Sequence, residues 1–422
     1  MIESLTHQGI LEMHKPLPLE GWLTLLSSFF ILAVAFSFGL FSLPVFYPAL
    51  VKSFGWNRTS VAGGGSIVLL LIGILSPVVG WLADQYSPKA VLLGGMVTGA
   101  LALALLSLTH SLEQYYGFSI LLGMGTSAVS ILPNSLLVAP WFAHRRGVAV
   151  GFVNAGIGLG GIAPLVATVE IRARGIPGAF LFLAGCLALP FFLTLVATRH
   201  RGTAKPQEAP SGPARTAPSA GQLLRMPMFW IFGVSLFFAA HAMLAIQQHL
   251  VLYLTGQGVA APRAALALST AIWSSAAGKL LSGATADRFS ARLAMMLSVL
   301  YVGLGVAGVL TAPPSSALIF AVAVVFGLGY GGIFNASPTL VFEYFGTRKV
   351  GRVMGLLLVF FGLGTSSGGL LAGYLFDQAQ RYSVPFTLDL GLAAAGLVLL
   401  LVTGRQTRPV ALPALQSESS LA

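Results

Sequence analysis

The sequence predicts an all-α membrane protein with twelve transmembrane helices in two six-helix bundles that are related by a parallel repeat. Three observations lead to this fold class. The chain has 422 residues, of which 56% are hydrophobic and 8% are charged, a balance that soluble domains do not have. Polar or turn-forming breaks divide the sequence into twelve apolar runs. The two halves of the chain also carry the same short motifs at nearly the same offset.

Each apolar run is long enough to cross a hydrocarbon core of about 30 Å as a helix. No signal peptide precedes the first run, so we expect that run to remain in the membrane. The predicted spans are 22–50, 59–83, 89–109, 114–140, 147–170, 177–198, 228–255, 262–286, 291–311, 315–343, 351–376 and 384–404.

The longest polar break is rich in Pro, Ala, Gly and Ser and divides the chain into two halves. We predict an N-terminal bundle over 1–198, a cytoplasmic linker over 199–227, a C-terminal bundle over 228–404 and a cytoplasmic tail over 405–422. With a cytoplasmic N-terminus, inside loops hold about 16 Lys and Arg residues against about 6 outside. This bias predicts a multi-pass protein of the cell (inner) membrane with both termini in the cytoplasm. It also explains the net charge of +11 without a nucleic-acid partner.

The sequence lacks the residues that several classes of function require. One cysteine, Cys186, excludes a disulfide framework and a cysteine-based metal cluster. No G-x-x-x-x-G-K-(S/T) loop is present, which argues against ATP-driven transport by this chain. No His/Cys cluster indicates a metal, and no nucleophile–base pair indicates catalysis. We therefore expect neither an enzyme nor a protein with a cofactor.

The loops after the second and eighth predicted helices share the spacing G-x-x-x-D-x-x-x-x-(K/R), about 203 residues apart. Glycine allows close helix approach, and a carboxylate at an interface can form a breakable ion pair. The alternative is generic loop charge, which two copies at one offset make improbable.

Lys279 is the Lys or Arg that the sequence places deep inside an apolar span. An ammonium there costs roughly 2.5–3.5 kcal/mol, so such residues commonly serve function. Lys279 precedes Asp287 by eight residues, about 12 Å of helix, which is close to half of the hydrocarbon core. We interpret it as an anchor for an anionic substrate at mid-membrane. The alternatives are a lysine that reaches the interface or one that pairs with a carboxylate. The candidate carboxylates Glu170, Glu343, Asp377 and Asp389 are all predicted near helix ends.

The two loop signatures resemble those of the major facilitator superfamily, although Tyr86-Ser87-Pro88 departs from the commoner glycine-containing tip. This resemblance implies a gating role for the loop-signature residues and the charged residues near them, so the predicted gating set is Asp84, Lys89, Arg145, Arg146, Asp287, Arg292, Glu343 and Arg348. A narrower resemblance is to its monocarboxylate transporter and oxalate–formate antiporter branch, including bacterial members. It rests on W-F-A-H-R-R-G-V-A-V-G from Trp141, on Gly55-Trp-Asn-Arg58 and on Glu20-Gly-Trp22. In that branch, helix 8 carries a substrate-binding arginine four residues before the signature glycine, and this chain has Lys279 there. Animal relatives place an aspartate one turn earlier, where this chain has Ser275.

The resemblance implies that helices 1, 4, 7 and 10 line the central path. His249 is then the preferred partner for substrate or proton, with His241 in reserve; the alternative for each is a hydrogen-bonded packing residue. Tyr330 and Phe334 are four residues apart and can share one helix face. The remaining candidates are aromatic or amide side chains that could equally serve packing, namely Phe118 on helix 4 and Asn335 on helix 10.

These observations predict a secondary-active transporter of a small organic monocarboxylate such as lactate or pyruvate. The predicted mechanism is proton-coupled symport by alternating access, in a chain that acts as a monomer in the lipid bilayer. The alternatives are an antiporter of a dicarboxylate or another organic anion and an exporter of an unrelated small molecule. From another class comes a membrane sensor that does not transport.

Overall fold

The computed structural model describes residues 19–138, 140–142, 146–197, 220–345 and 351–403, and these residues are almost entirely helical. Ten of the described helices are long and apolar enough to cross a membrane, and one bent pair adds an eleventh span. The helix over Ala149–Val196 has 48 residues, which is about 72 Å of helix and more than twice a hydrocarbon core. It therefore holds two spans, and the prediction of twelve membrane helices is confirmed.

The chain reverses direction inside that long helix at Gly175. Its φ of 70° and ψ of −177° belong to a region that glycine alone adopts readily. Contacts with the first helix show the reversal. Gly156 packs on the backbone of Phe29 before the break, whereas the Thr194 hydroxyl lies 2.8 Å from that of Ser27 after it. Both segments therefore reach the same level of the first helix from opposite directions.

We number the membrane-spanning helices α1 to α12 in chain order. Helix α1 contains a π-helical segment, Ile31–Phe36, and α2 bends by 50° between Ile74 and Ser76. A short helix, Ala220–Leu224, lies in the predicted linker. The bounds are α1 Leu19–Phe54, α2 Arg58–Ile74 with Ser76–Gln85, α3 Pro88–Leu106, α4 Leu112–Val138, α5 146–174, α6 176–197, α7 Pro227–Gly256, α8 Ala261–Arg288, α9 Ala291–Thr311, α10 Leu318–Phe345, α11 Gly351–Ala379 and α12 Ser383–Thr403.

The two halves start their third helix in the same way. The Ser87 hydroxyl accepts a hydrogen bond from the Ala90 backbone at 3.0 Å, which caps the N-terminus of α3. The Ser290 hydroxyl does the same for the Leu293 backbone at 3.1 Å at the start of α9. These caps stand at equivalent positions of the repeated signature.

The basic residue of each signature also has the same structural partner in both halves. The Lys89 ammonium donates to the Leu195 carbonyl at 2.8 Å, near the C-terminus of α6. The Arg292 guanidinium donates to the carbonyls of Leu400 and Leu401 at 3.0 and 2.8 Å, near the C-terminus of α12. Cations stabilise helix C-termini because the last carbonyls lack helical partners. Each signature thus ties the third helix of its half to the sixth.

Hydrogen bonds join the halves near one end of the bundle, and helix packing between the halves extends further, as where Gly73 of α2 meets Gly362 of α11. We call the end with the α2–α3 and α8–α9 loops the signature end and the other the distal end. Hydrogen bonds between the halves, among the described residues, all lie towards the distal end. The Asp377 carboxylate accepts from the backbones of Arg58 and Thr59 at 3.1 and 2.8 Å and from the Thr59 hydroxyl. The Tyr47 hydroxyl donates to Gln248 at 3.1 Å.

Candidate functional site

Lys279 lies on the face of α8 that is turned towards the inside of the protein. Leu281 is 54% exposed, and the step of two positions from Lys279 to Leu281 places Lys279 about 200° away, on the other side of the helix. The neighbours of Lys279 one turn away, Ser275 and Ser282, are 1% and 5% exposed. The Lys279 side chain is itself half-buried. Its ammonium is therefore not directed into the acyl chains.

The described part of the chain offers Lys279 neither a hydrogen bond nor an ion pair. The ammonium is not fully enclosed and keeps some accessible surface. A cation in this position lacks a compensating charge, because burial removes water without supplying a counter-charge. An anion bound from outside the protein would supply that charge.

Helices α8 and α10 pack closely beside Lys279. The Gly278 position lies directly against the Leu328 backbone, and the Gly331 position lies directly against the Ser275 backbone. A side chain at either glycine would overlap the neighbouring helix, so the sequence allows this close approach only because both are glycines. The Ser275 hydroxyl bonds to the Ile272 carbonyl of its own helix at 2.6 Å. Ser275 thus fills the seam between the helices in this conformation.

Tyr330 and Phe334 share a side of the α8–α10 pair with Lys279. Lys279 comes one residue after Gly278, the glycine of α8 that contacts α10, and is rotated from it by about +100°. Tyr330 comes one residue before Gly331, the glycine of α10 that contacts α8, and is rotated from it by about −100°. Because the two helices run in the same direction, these opposite rotations end on the same side. The rings of Tyr330 and Phe334 are 5.3 Å apart, and Phe361 of α11 continues the row 5.2 Å from Phe334. The ammonium and the row of aromatic rings therefore lie on the same side of the α8–α10 pair.

Asn335 lies one turn further along the same seam. Its amide nitrogen is 3.3 Å from the position that a Cβ would occupy on Gly283, which is the signature glycine of α8. Asn335 is half-buried. Of the predicted binding residues, the structure thus brings Lys279, Ser275, Tyr330, Phe334 and Asn335 to one region of the fold.

The structure places His249 elsewhere, in a closed hydrogen-bond network near the distal end. Its Nδ1 lies 3.0 Å from the Tyr382 hydroxyl, its Nε2 lies 2.8 Å from the Gly369 carbonyl, and the residue is 0% exposed. Counted along their helices, His249 is about 10 Å from the distal end and Lys279 is about 27 Å from it. In this conformation both ring nitrogens of His249 already have partners.

His241 lies at the middle of α7 and pairs with Asp389 of α12. The His241 Nε2 is 3.5 Å from the Asp389 Oδ1, and its Nδ1 is 2.9 Å from the Ser367 hydroxyl of α11. Asp389 lies six residues from the start of α12, near a helix end as predicted, but it is 1% exposed and therefore lies inside the bundle. The sequence did not indicate this burial.

Phe118 is half-buried on α4, six residues or about 9 Å from the distal end of that helix. It is thus separated from Lys279 by most of the membrane thickness. A cavity of about 360 Å³ towards the distal end is lined by Lys52 and Thr109 among others, and neither Phe118 nor Lys279 borders it. This region is distinct from the α8–α10 site.

The predicted gating residues have mixed positions. Asp287 is exposed and, in the part of the chain that the structure describes, has no ion pair. The Glu343 carboxylate accepts from the Ala291 backbone at 2.9 Å and so caps the N-terminus of α9. Lys89 and Arg292 bind helix C-termini as described above. Arg145 and Arg348, with the side chains of Asp84 and Arg146, lie outside the described residues.

Sequence reasoning missed the contact that joins the halves. The Arg58 guanidinium stacks 3.7 Å above the Phe376 ring and 4.8 Å from the Tyr382 ring, beside the Asp377 bonds to α2. The residues of this junction come from helices about 320 positions apart in sequence. No local motif in the sequence could have paired them.

A duplicated twelve-helix bundle, with a cation in one seam that has no partner among the described residues, is the arrangement expected of a membrane transporter. The sequence profile of the Major Facilitator Superfamily matches residues 29–267 and 250–421, and the chain belongs to that superfamily. It is therefore a member of a transporter family and not an enzyme.

Known relatives agree with this assignment. The chain is 28% identical over 391 residues to monocarboxylate transporter 13 of Bos taurus, covering 90% of this chain and 88% of that protein. It is 24% identical over 412 residues to monocarboxylate transporter 4 of Rattus norvegicus, covering 92% and 85%. Among solved structures, a mutant of the nucleoside transporter NupG matches with a TM-score of 0.75 at 14% identity, covering 91% of this chain and 99% of that one. The monocarboxylate-transporter-like branch predicted from the sequence is thus supported.

Proposed function

We propose that this protein is a secondary-active transporter of a small organic monocarboxylate, such as lactate or pyruvate, that moves with a proton. The observation that carries the proposal is Lys279, an inward-facing ammonium without a protein partner among the described residues. A carboxylate supplies the missing negative charge. Lysine holds it as a point charge, without the planar fork with which arginine binds two oxygens at once.

The surroundings of Lys279 favour a small substrate with one charge. Tyr330 and Phe334 on the same side offer aromatic surface to a short apolar group such as a methyl. No second cation accompanies Lys279 in the described part of the α8–α10 site, so a second carboxylate would remain unpaired. The names of the relatives above point to the same class of substrate.

The proposed orientation puts the signature end and both termini in the cytoplasm, in the cell's inner membrane. In this orientation the Asp377 hydrogen bonds hold the outer end of the described conformation closed. Rocking of the two halves about the site would expose Lys279 to each side in turn. One chain contains both halves, so a monomer suffices.

Uptake of labelled L-lactate and pyruvate into proteoliposomes tests the anchor. Lys279→Ala and Lys279→Met, which keeps most of the volume, should lower uptake by about 100-fold, because truncating one partner of a buried charge pair costs roughly 2–5 kcal/mol. Lys279→Arg should keep part of the activity, since the charge remains. The matched control is Lys52→Ala, an exposed lysine near the distal end, with unchanged uptake expected.

Wild-type rates in Lys279→Met would refute the anchor assignment. Other outcomes identify the alternatives. Exchange of oxalate without net lactate uptake would indicate an anion antiporter. Thermal stabilisation by lactate without flux would indicate a sensor; a ligand at 100 times its Kd should add about 2.7 kcal/mol to the free energy of unfolding.

A further inference from the structure

A buried acid–base pair lies within the second half, between α7, α11 and α12. The His241 and Asp389 side chains are 3% and 1% exposed, and their Nε2 and Oδ1 atoms are 3.5 Å apart. The second carboxylate oxygen, Asp389 Oδ2, is enclosed and has no hydrogen-bond partner in the described structure. His241 Nε2 is likewise enclosed without a hydrogen-bond partner among the described residues, so the pair has unused hydrogen-bonding capacity inside the bundle.

The pair lies deep in the bundle. His241 is about 21 Å from the start of α7 and about 22 Å from its end, at the middle of a 30-residue helix. An ionised carboxylate at that depth must be neutralised by a proton or by a cationic partner. Among the residues that the structure describes, His241 is the group within ion-pair distance of Asp389.

No other charged side chain in the described part of the protein forms an ion pair with either member of this pair. Helix α7 contains no Asp, Glu, Lys or Arg, and neither does α11 between Val353 and Phe376. None of the other titratable side chains on the surrounding helices forms a hydrogen bond or ion pair with either member in the described structure. Within the spans these side chains are Tyr47 of α1, His249 and Tyr253 of α7, Lys279 of α8, Tyr301 of α9, Tyr330 of α10, Tyr374 of α11 and Tyr382 before α12; towards the helix ends they are Lys52, Arg263, Asp287, Arg288, Arg292, Glu343, Tyr344 and Asp377.

We propose that His241 and Asp389 form the proton-binding site of this transporter. With His241 neutral and Asp389 ionised, the site carries one negative charge. It then takes one proton from a hydronium ion at one membrane surface, leaving water, and the pair becomes neutral overall. Release to water at the other surface reverses the step. Bound proton and bound anion thus occupy separate sites in the same half.

Helix α11 connects this site to the junction between the halves. Ser367 contacts the His241 ring, and Gly368 packs directly on the His241 backbone. Ten residues further along, Asp377 bonds to α2 of the other half. Opening the distal end breaks the Asp377 bonds and shifts α11 against α7, which changes the hydrogen bonding of His241. This coupling rests on the proposed function, whereas proton binding by the pair does not.

Infrared spectroscopy of the purified protein in lipid tests proton binding without any substrate. Titration between about pH 9 and pH 5 should change the carboxyl C=O band of a buried acid in the wild type. That change should be absent in Asp389→Asn and displaced in pH in His241→Gln. The control Glu113→Gln removes an exposed carboxylate and should leave the buried band unaltered. A wild type without the band, or a band that Asp389→Asn retains, overturns the proposal.

Transport of labelled L-lactate tests the coupling. A gradient of one pH unit can sustain about tenfold accumulation in a one-to-one symporter, and the wild type should approach this. Asp389→Asn should lose accumulation but keep lactate–lactate exchange. Full accumulation by Asp389→Asn overturns the coupling role. If the wild type shows the infrared change but moves no lactate, the proposed substrate is wrong and the proton site stands.

Discussion

Replacing Asp377 should loosen the distal end of the bundle. Its carboxylate accepts from the backbone nitrogens of Arg58 and Thr59 and from the Thr59 hydroxyl, across the boundary between the halves. Those nitrogens are the first two of α2, where helical partners are missing and the helix dipole favours an anion. Asp377 therefore stabilises the conformation that is closed at this end.

The size of the effect follows from the contacts that are lost. Hydrogen bonds to charged groups contribute about 1.5–3 kcal/mol, and Asp377→Asn keeps one acceptor oxygen while removing the charge. We expect a loss of about 1.5 kcal/mol for Asp377→Asn and of about 3 kcal/mol for Asp377→Ala. These values shift the ratio of open to closed states at the distal end by about 10-fold and about 100-fold.

Distances between spin labels across the distal end measure this shift. Suitable positions are Lys52→Cys and Arg381→Cys, which are exposed and belong to different halves, in a Cys186→Ala background. Both Asp377 variants should gain a longer-distance population, larger for Ala than for Asn. Glu113→Gln removes an exposed carboxylate near the same end and should leave the distances as they are. Unchanged distances in Asp377→Ala would show that this contact does not hold the end closed.

The remaining predictions concern stability. Gly331→Ala places a methyl group against the Ser275 backbone and should cost about 1–3 kcal/mol, seen as a lower Tm. Gly94→Ala meets nothing within 4 Å and should match the wild type or exceed it; equal Tm values for both variants would refute close packing of α8 on α10. Glu343→Ala removes the acceptor of the Ala291 amide and should cost about 1 kcal/mol at the start of α9. Amide hydrogen exchange in that first turn should then be faster than in Glu343→Gln, and equal rates would contradict the cap.

The fold was accessible from the sequence because the signals for it are local. Apolar runs of sufficient length fix the number of membrane helices, and the break before residue 177 marked the turn that the structure places at Gly175. The repeated signature identified Lys89 and Arg292 as equivalent. It did not reveal that both bind helix C-termini, because their acceptor carbonyls lie 106 to 109 residues away.

The site was only partly accessible for the same reason. A histidine in a membrane helix needs a polar partner, and the sequence alone does not select one. His249 finds Gly369 and Tyr382, whereas His241 finds Asp389. Because Asp389 lies near the end of α12 in sequence, it was expected near the membrane surface. In the structure this part of α12 packs against the middle of α7, and Asp389 is therefore deep in the bundle.

Charge balance links the two proposed sites. Lys279 contributes one positive charge, and a deprotonated His241–Asp389 pair contributes one negative charge. The buried charges sum to zero when the transporter is empty and again when it holds both an anion and a proton. With an anion alone the sum is negative, and with a proton alone it is positive. A net charge near the bilayer centre is costly, so the two balanced states would cross most readily. In Asp389→Asn the pair is neutral, so the charge of Lys279 is balanced only while the anion is bound. Exchange of bound anions is then permitted, and reorientation of the empty transporter is blocked. Coupled transport of one anion with one proton thus follows from two oppositely charged sites in the same half, provided that Lys279 binds the anion and the His241–Asp389 pair binds the proton.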